Sequence, residues 1–415
     1  MFDGGVIWVS LAFSVVIALV VVMIVAPSRR EPWSVLCFGA VFVVAELPVH
    51  MAVVALAGTG AFAATESTHG WVWWVSLVVG ALAALGYIWL AVVAHQSGRL
   101  VEAALDDAVR GPILAPGVDL RPVWASWWRL VLAFPSSPRR IRRIRGIDYA
   151  GSGSHRNKLD VLVRRADPPK GAPVLVYIHG GAWVIGDKRE QGIPMMHELV
   201  QRGWVCVTIN YRLSPKATWP DHVVDCKLAL AWVREHIAEY GGDPSFLAVS
   251  GGSAGGHLAA LVALTPNELE WQPGFEEADT SVDACIPFYG VHDITGHPEA
   301  SGTHGPGLVE LLQDRVMKTT VQADRDAFDR ASPDQRITPG APPMFVIQGA
   351  NDTLMPREVG RRFAERLCEV SEAPVAYLEL PLTQHAFDIL VSIRTRHTTS
   401  GVVRFLEGIR ARADS

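Results

Sequence analysis

A run of 21 residues without a single charge, Val6–Ala26 (VIWVSLAFSVVIALVVVMIVA), limits what this chain can fold into. In water such a run has to be buried on every side. In a bilayer it matches the ~20 apolar residues that one helical crossing requires. Trp71–Ala94 (WVWWVSLVVGALAALGYIWLAVVA) is a second run of the same kind. Between them lies a third, Trp33–Gly58, with Glu46, Pro48 and His50 near its middle. The first run has neither a basic segment before it nor an A-x-A site after it, so it does not read as a cleaved signal peptide. Residues 1–95 are therefore expected to form a three-span transmembrane anchor.

The basic residues orient it. Arg29 and Arg30 follow the first run, and Arg99 and Arg110 follow the last. The N-terminal tail and the loop Thr59–Gly70 have no Lys or Arg. Positive charge collects on the cytoplasmic side, so the N-terminus is expected outside and everything after residue 95 in the cytoplasm. Glu46 and His50, four residues apart, are expected on one helix face, where they either pair with each other or serve a function of their own.

Residues 96–143 read as a linker. Trp124, Trp127, Trp128 and the apolar residues to Phe134 precede Arg139, Arg140, Arg142, Arg143 and Arg145. An aromatic-apolar stretch beside a basic one suits an anionic leaflet, with membrane lipids as partners. A cap on the soluble domain with the arginines on an edge strand is the other reading, and a mixture of the two, a cap helix that also faces the membrane, is the one expected. The formal net charge of −5 does not suggest nucleic-acid binding, and nothing in the sequence fixes an oligomeric state. The five cysteines lack CxxC spacing, which disfavours disulfides and zinc.

From residue 144 to 415 short apolar runs alternate with helical stretches. Strands are expected at Lys158–Arg164, Val174–Ile178, Val205–Ile209, Phe246–Val249, about Ala284–Phe288, Met344–Gln348 and Val375–Leu380. Strands apolar throughout and alternating with helices imply a mostly parallel sheet covered on both faces. Its chemistry belongs at the carboxyl ends of the strands.

One such end reads VSGGSAGGHLAA, Val249–Ala260. Gly251-Gly252-Ser253-Ala254-Gly255 is G-x-S-x-G between a strand and a helix. The small residues permit a sharp turn that lifts the Ser253 hydroxyl above the sheet. A serine needs a base, and the base needs an orienting acid. In strand–turn–helix sites of this type the chain order is Ser, acid, His. Asp352 in GANDTLMP and His385 in TQHAFD each follow a strand in that order. Asp293 in YGVHD is the competing acid. The Ala254 N–H and the glycine-rich loop His179-Gly180-Gly181-Ala182-Trp183 are candidate oxyanion donors.

On these residues the soluble domain resembles the α/β-hydrolase fold. Within it, HGGAW, NYRLSPKATWPDHVVD, SGGSAGG, NDTLMP and QHAFD look like the hormone-sensitive-lipase-like carboxylesterases, with the three spans resembling a membrane-anchored bacterial branch. The resemblance covers about residues 145–410. It implies Ser253, Asp352 and His385 as a catalytic triad and Gly180, Gly181 and Ala254 as oxyanion donors. It gives His179, Tyr211 and Asp225 structural roles. Trp183 and Gly252 are candidate pocket residues, with residues 296–337 and the Trp124–Phe134 stretch completing the acyl pocket. The implied reaction needs no metal or cofactor and takes a small lipophilic ester through an acyl-enzyme. Ala182 stands where relatives have a third glycine, and Gly252 where many have a larger residue. Both features also occur in formamidase-like and feruloyl-esterase-like members. A formamidase-type amidohydrolase and a non-catalytic membrane-tethered binding module are the alternatives.

Overall fold

The computed structural model describes residues 3–30, 33–64, 70–108, 113, 133, 139–296 and 306–413. The Trp124–Phe134 stretch expected to cap the pocket lies outside them, apart from Ala133.

Four apolar helices come first: α1 Asp3–Val25, α2 Trp33–Glu46, α3 Pro48–Ala64 and α4 Trp71–Asp106. Two of them, α1 and α4, are long and apolar enough to cross a membrane. The middle run differs from the single span expected of it. It breaks at Leu47, and α2 and α3 meet at 90°. Pro48 opens α3, where its missing N–H removes no helical hydrogen bond. Glu46 and His50 therefore do not share a continuous helix face, which corrects the expectation drawn from their spacing.

Small residues let these helices pack closely, as is usual within membranes. A side chain at Gly80 would meet Thr59, and one at Gly86 would meet Val21. Tyr87, fully buried, donates its hydroxyl to the Ile17 carbonyl at 3.1 Å. Trp8, Val9, Leu82 and Leu85 point outward and remain exposed. The helix expected to end near Ala94 instead continues to Asp106. At about 1.5 Å per residue it is about 54 Å long, and its last turns enter the core of the following domain through Val101 and Leu105.

That domain is built on eight strands in the order β1-β2-β4-β3-β5-β6-β7-β8. They are β1 Ile141–Asp148, β2 Lys158–Arg164, β3 Ala172–Ile178, β4 Val205–Ile209, β5 Gly242–Gly252, β6 Ala284–Phe288, β7 Met344–Gly349 and β8 Val375–Leu380. β1 and β2 are antiparallel additions at one edge, and β3 through β8 run parallel. Strands β3, β4, β6 and β7 are buried at every residue, as a sheet covered on both faces requires.

On one face lie α6 Asp221–His236, α7 Ala254–Leu264 and α10 Arg357–Val370; on the other lie α5 Ile193–Gln201, α11 Ile393–Ala413 and the end of α4. Two short helices, α8 Pro306–Leu311 and α9 Arg325–Ala331, lie between β6 and β7. Most of the basic stretch at 139–145 lies in the edge strand β1. Arg143 in β1 donates to Asp160 of β2 at 2.8 Å, and Arg189 adds a second contact to the same carboxylate at 3.3 Å.

Candidate active site

Parallel strands β3 and β5 are paired so that Ile178 faces Gly251. This register brings the loop after β3 beside the turn after β5. On the far side, Gly349 of β7 faces Leu380 of β8, so Asp352 and His385 leave neighbouring strand ends. Ser253 has φ 57° and ψ −123°, a strained conformation for a non-glycine residue. Its N–H donates to the Phe288 carbonyl of β6 at 3.0 Å, and its carbonyl accepts from the His257 N–H of α7 at 2.9 Å. The turn is thus fastened on both sides while its side chain faces a cavity of about 410 Å³.

His385 lines the same cavity. Its Nδ1 donates to Asp352 Oδ2 at 2.6 Å. Asp352 is fully buried, and a carboxylate there needs its acceptor sites filled. They are. Oδ1 accepts from the N–H groups of Leu354 at 2.9 Å and Met355 at 2.7 Å, and Oδ2 accepts from Gln348 Nε2 at 3.3 Å. The competing acid Asp293 turns instead onto its own loop, accepting from the N–H and hydroxyl of Thr295 at 2.7 Å each.

The loop after β3 refines one expectation. The Gly180 N–H donates to Gln191 Oε1 at 2.7 Å and is therefore already committed. Among the described residues the N–H groups of Gly181, Ala182 and Ala254 have no such partner. Gly181 has φ 120°, and a side chain on it would lie 2.2 Å from the Ile185 carbonyl oxygen. Ala182 lines the cavity, as does Trp183. The N–H groups without a partner beside the Ser253 turn are thus those of Gly181, Ala182 and Ala254, while that of Gly180, expected as a donor, fixes its loop to Gln191.

His179 is buried and stacks on Tyr211 at 4.5 Å between ring centroids, and the Tyr211 hydroxyl donates to the His179 carbonyl at 3.0 Å. Asp225 grips Arg212 through its backbone N–H and guanidinium, bracing the same loop from behind. Gly252 does not line the cavity. It backs onto Tyr289, whose hydroxyl would be 2.8 Å from an added Cβ.

Several contributors were not singled out as site residues by the sequence. Gln384 accepts from the N–H groups of both Thr353 and His385, tying the acid loop to the histidine loop. The Tyr289 ring lies 4.5 Å from that of His385, and its hydroxyl donates to Asp388. Burial pushes the Asp388 carboxyl up to about 6. From the apolar N-terminal region, Arg29, Ser34 and Val35 line the cavity. Only the strand ends and the G-x-S-x-G turn were marked by sequence. These further groups reach the site by tertiary packing.

Burial also pushes several histidines of this domain far down, among them His179, His222 and His257 to about 4 and His292 to about 3. His292 stacks on Phe363 with 3.9 Å between centroids, and neither ring nitrogen has a partner among the described residues. An unfolded histidine titrates near ~6.5. Between about pH 3 and that value the unfolded chain binds a proton that folded His292 does not. Stability therefore rises with pH in this window and is lost as pH falls through it, with a slope of about 1.4 kcal/mol per pH unit for one proton. His292→Phe keeps the stack and removes the proton site. Its melting temperature is expected to fall less than that of the parent between about pH 7 and pH 4.5, a range that spans the unfolded titration. Parallel pH profiles would exclude His292 as a source of acid lability.

A family model, BD-FAE, matches residues 159–367. The probable carboxylic ester hydrolase LipM of Mycobacterium tuberculosis (strain ATCC 25618 / H37Rv) is 46% identical, over 81% of this chain and 78% of its own. Esterase LipQ of the same strain is 42% identical over 77% and 76%. Among solved structures, esterase B from Lactobacillus rhamnosis superimposes with a TM-score of 0.58 at 20% identity, over 67% of this chain and 89% of that one, which supports the fold.

Proposed function

We propose that this chain, which belongs to the BD-FAE family of α/β-hydrolases and is a carboxylic ester hydrolase, works from a membrane anchor through a Ser253–His385–Asp352 triad. The observation that carries the reading is the buried His385–Asp352 hydrogen bond of 2.6 Å beside a cavity shared by His385 and the strained Ser253 turn. In this reading His385 Nε2 takes the Ser253 proton as Oγ attacks the ester carbonyl. The tetrahedral oxyanion meets the N–H groups of Gly181, Ala182 and Ala254. His385 then returns the proton to the alkoxide leaving group, and the acyl group remains on Ser253. Water, deprotonated by His385, releases the acid by the same path in reverse. Asp352 holds the imidazole in the tautomer with Nδ1–H and stabilises its charged form.

The anchor reading has three crossings, α1, α3 and α4. Asn351 of the hydrolase domain caps the last carbonyls of α1, Ile24 at 2.8 Å and Val25 at 3.1 Å. The end of α4 packs into the same domain. Arg29, Arg30 and Arg99 are thus on the domain's side of the membrane, and the positive-inside rule makes that side cytoplasmic. A site beside a bilayer favours a lipophilic ester as substrate.

The test is covalent. The full-length protein in detergent should hydrolyse p-nitrophenyl butyrate and lose that activity in step with one phosphonate bound per chain. Mass spectrometry should place the phosphonate on the peptide containing Ser253. Label on another residue, or full inhibition without label on Ser253, would reject the assignment.

A further inference from the structure

Helix α2 is too short for the span it was expected to be. Its 14 residues extend about 21 Å, less than the ~30 Å hydrocarbon core. It is perpendicular to α3, so with α3 along the membrane normal α2 lies flat. It lies on the hydrolase domain's side, because both of its ends are tied to that domain. At the start, the Thr353 hydroxyl donates to the Ser34 carbonyl at 3.0 Å, and the preceding Arg29 donates to the Ala350 carbonyl at 3.1 Å. Midway, the Phe38 ring approaches that of His385 edge-on at 6.1 Å. At the end, Glu46 accepts from Ser392 at 2.7 Å and pairs with Arg394 at 3.1 Å. The helix therefore crosses the site, and its anchors include Ala350 and Thr353, which flank Asp352 closely.

Its two faces differ in what they meet rather than in polarity. Ser34, Cys37, Val41 and Ala45 are buried, whereas Trp33, Val35 and Leu36 are exposed. Val35 lines the Ser253 cavity together with Leu308 and Leu311 of α8, and Leu36 does not.

We propose that α2 is an interfacial helix that forms the acyl wall of the ester site, and that a long-chain acyl group enters from the leaflet between Val35 and α8. This assignment rests on the serine esterase reading above. The wall is apolar where the chain would lie, Val35, Val291, Leu308 and Leu311, while Ser253 and His385 stand on the same cavity. An acyl chain leaving the leaflet beside α2 reaches Ser253 along apolar side chains. Hydrolase and anchor thus build one substrate site, which neither builds alone.

The experiment compares the kcat/KM ratio of p-nitrophenyl octanoate to p-nitrophenyl acetate in full-length protein, per Ser253 titrated with a fluorophosphonate. Val35→Trp should lower this ratio by about tenfold or more, the scale of discrimination that pocket size affords. Leu36→Trp, one residue along the same helix, should leave it within about twofold. An unchanged ratio in Val35→Trp, or an equal fall in Leu36→Trp, would overturn the assignment. If Val35→Trp yields no titratable serine, Val35→Ala replaces it, and the preferred acyl length should then rise; an unmoved preference overturns the proposal too. Ser253→Ala separates this from the underlying reading. Acetate turnover that survives it defeats the triad itself, whereas turnover that vanishes while Val35→Trp changes nothing defeats only the role of α2.

Discussion

Ser253→Ala should lower kcat on p-nitrophenyl butyrate by about 10⁴- to 10⁶-fold, the range found when a triad nucleophile is removed. The residue left behind cannot form the acyl-enzyme, so what remains is attack by water held in the cavity, about 10³–10⁴ above the uncatalysed rate. Asp352→Asn should cost about 10⁴-fold by a different route. The amide can donate to His385 Nδ1 and so favour the tautomer whose Nε2 carries a proton and cannot take one from Ser253. It would also lose the acceptor oxygen to which Gln348 now donates, while Leu354 and Met355 keep theirs. The double variant should be no slower than Ser253→Ala, because groups that act as a unit are not additive. Rates for all three on one ester check this. A double variant slower than the serine variant by the full factor of Asp352→Asn would mean that Asp352 acts independently of Ser253, and the triad would have to be redrawn.

Arg394→Met is expected to destabilise the protein by about 3–5 kcal/mol, the usual result of stripping one partner from a buried ion pair. Arg394 has no exposed surface, and its Nη1 serves both Glu46 Oε1 at 3.1 Å and the Ala45 carbonyl at 3.0 Å. Removing it leaves Glu46 buried, with the Ser392 hydroxyl still donating to its other oxygen. Glu46→Leu should do comparable damage by leaving the guanidinium unpaired. The double variant should recover most of the loss, since two apolar side chains of similar volume often match or exceed a buried pair. Arg394 favours that outcome, because its Nε and Nη2 already lack partners among the described residues. Thermal unfolding followed by tryptophan fluorescence reads the shift, about 2–4 °C per kcal/mol in a domain of this size. A double variant as unstable as either single one would show that the pair is not what couples α2 to α11.

The strand ends of the candidate site were readable in the sequence because their constraints are local. A sharp turn at Ser253 demands small neighbours within two residues, and a parallel sheet writes its buried strands as continuous apolar runs. The same locality explains the misreadings. Gly180 and Gly181 are alike in sequence, and it is Gln191, eleven residues on, that removes the Gly180 N–H from use. Spacing alone suggested His50 as a partner for Glu46, whereas Arg394 lies 348 residues away. Of the two settings the arginines at 139–145 suited, a leaflet and an edge strand, the pairing of β1 with β2 supplies the second, where Arg143 donates to Asp160.

The sequence by itself determined that the first hundred residues hold apolar runs of membrane-spanning length, that a covered, mostly parallel sheet follows, and which serine, acid and histidine stand at its strand ends. Those properties depend on composition and on periodicities of a few residues. Only the tertiary structure decided where α2 lies. WSVLCFGAVFVVAE is apolar on every face, so nothing in its pattern separates a helix surrounded by lipid from one pressed between lipid and protein. Its place was settled by hydrogen bonds to Thr353 and Ser392 and the ion pair with Arg394, contacts that span more than three hundred residues and exist only once both parts have folded.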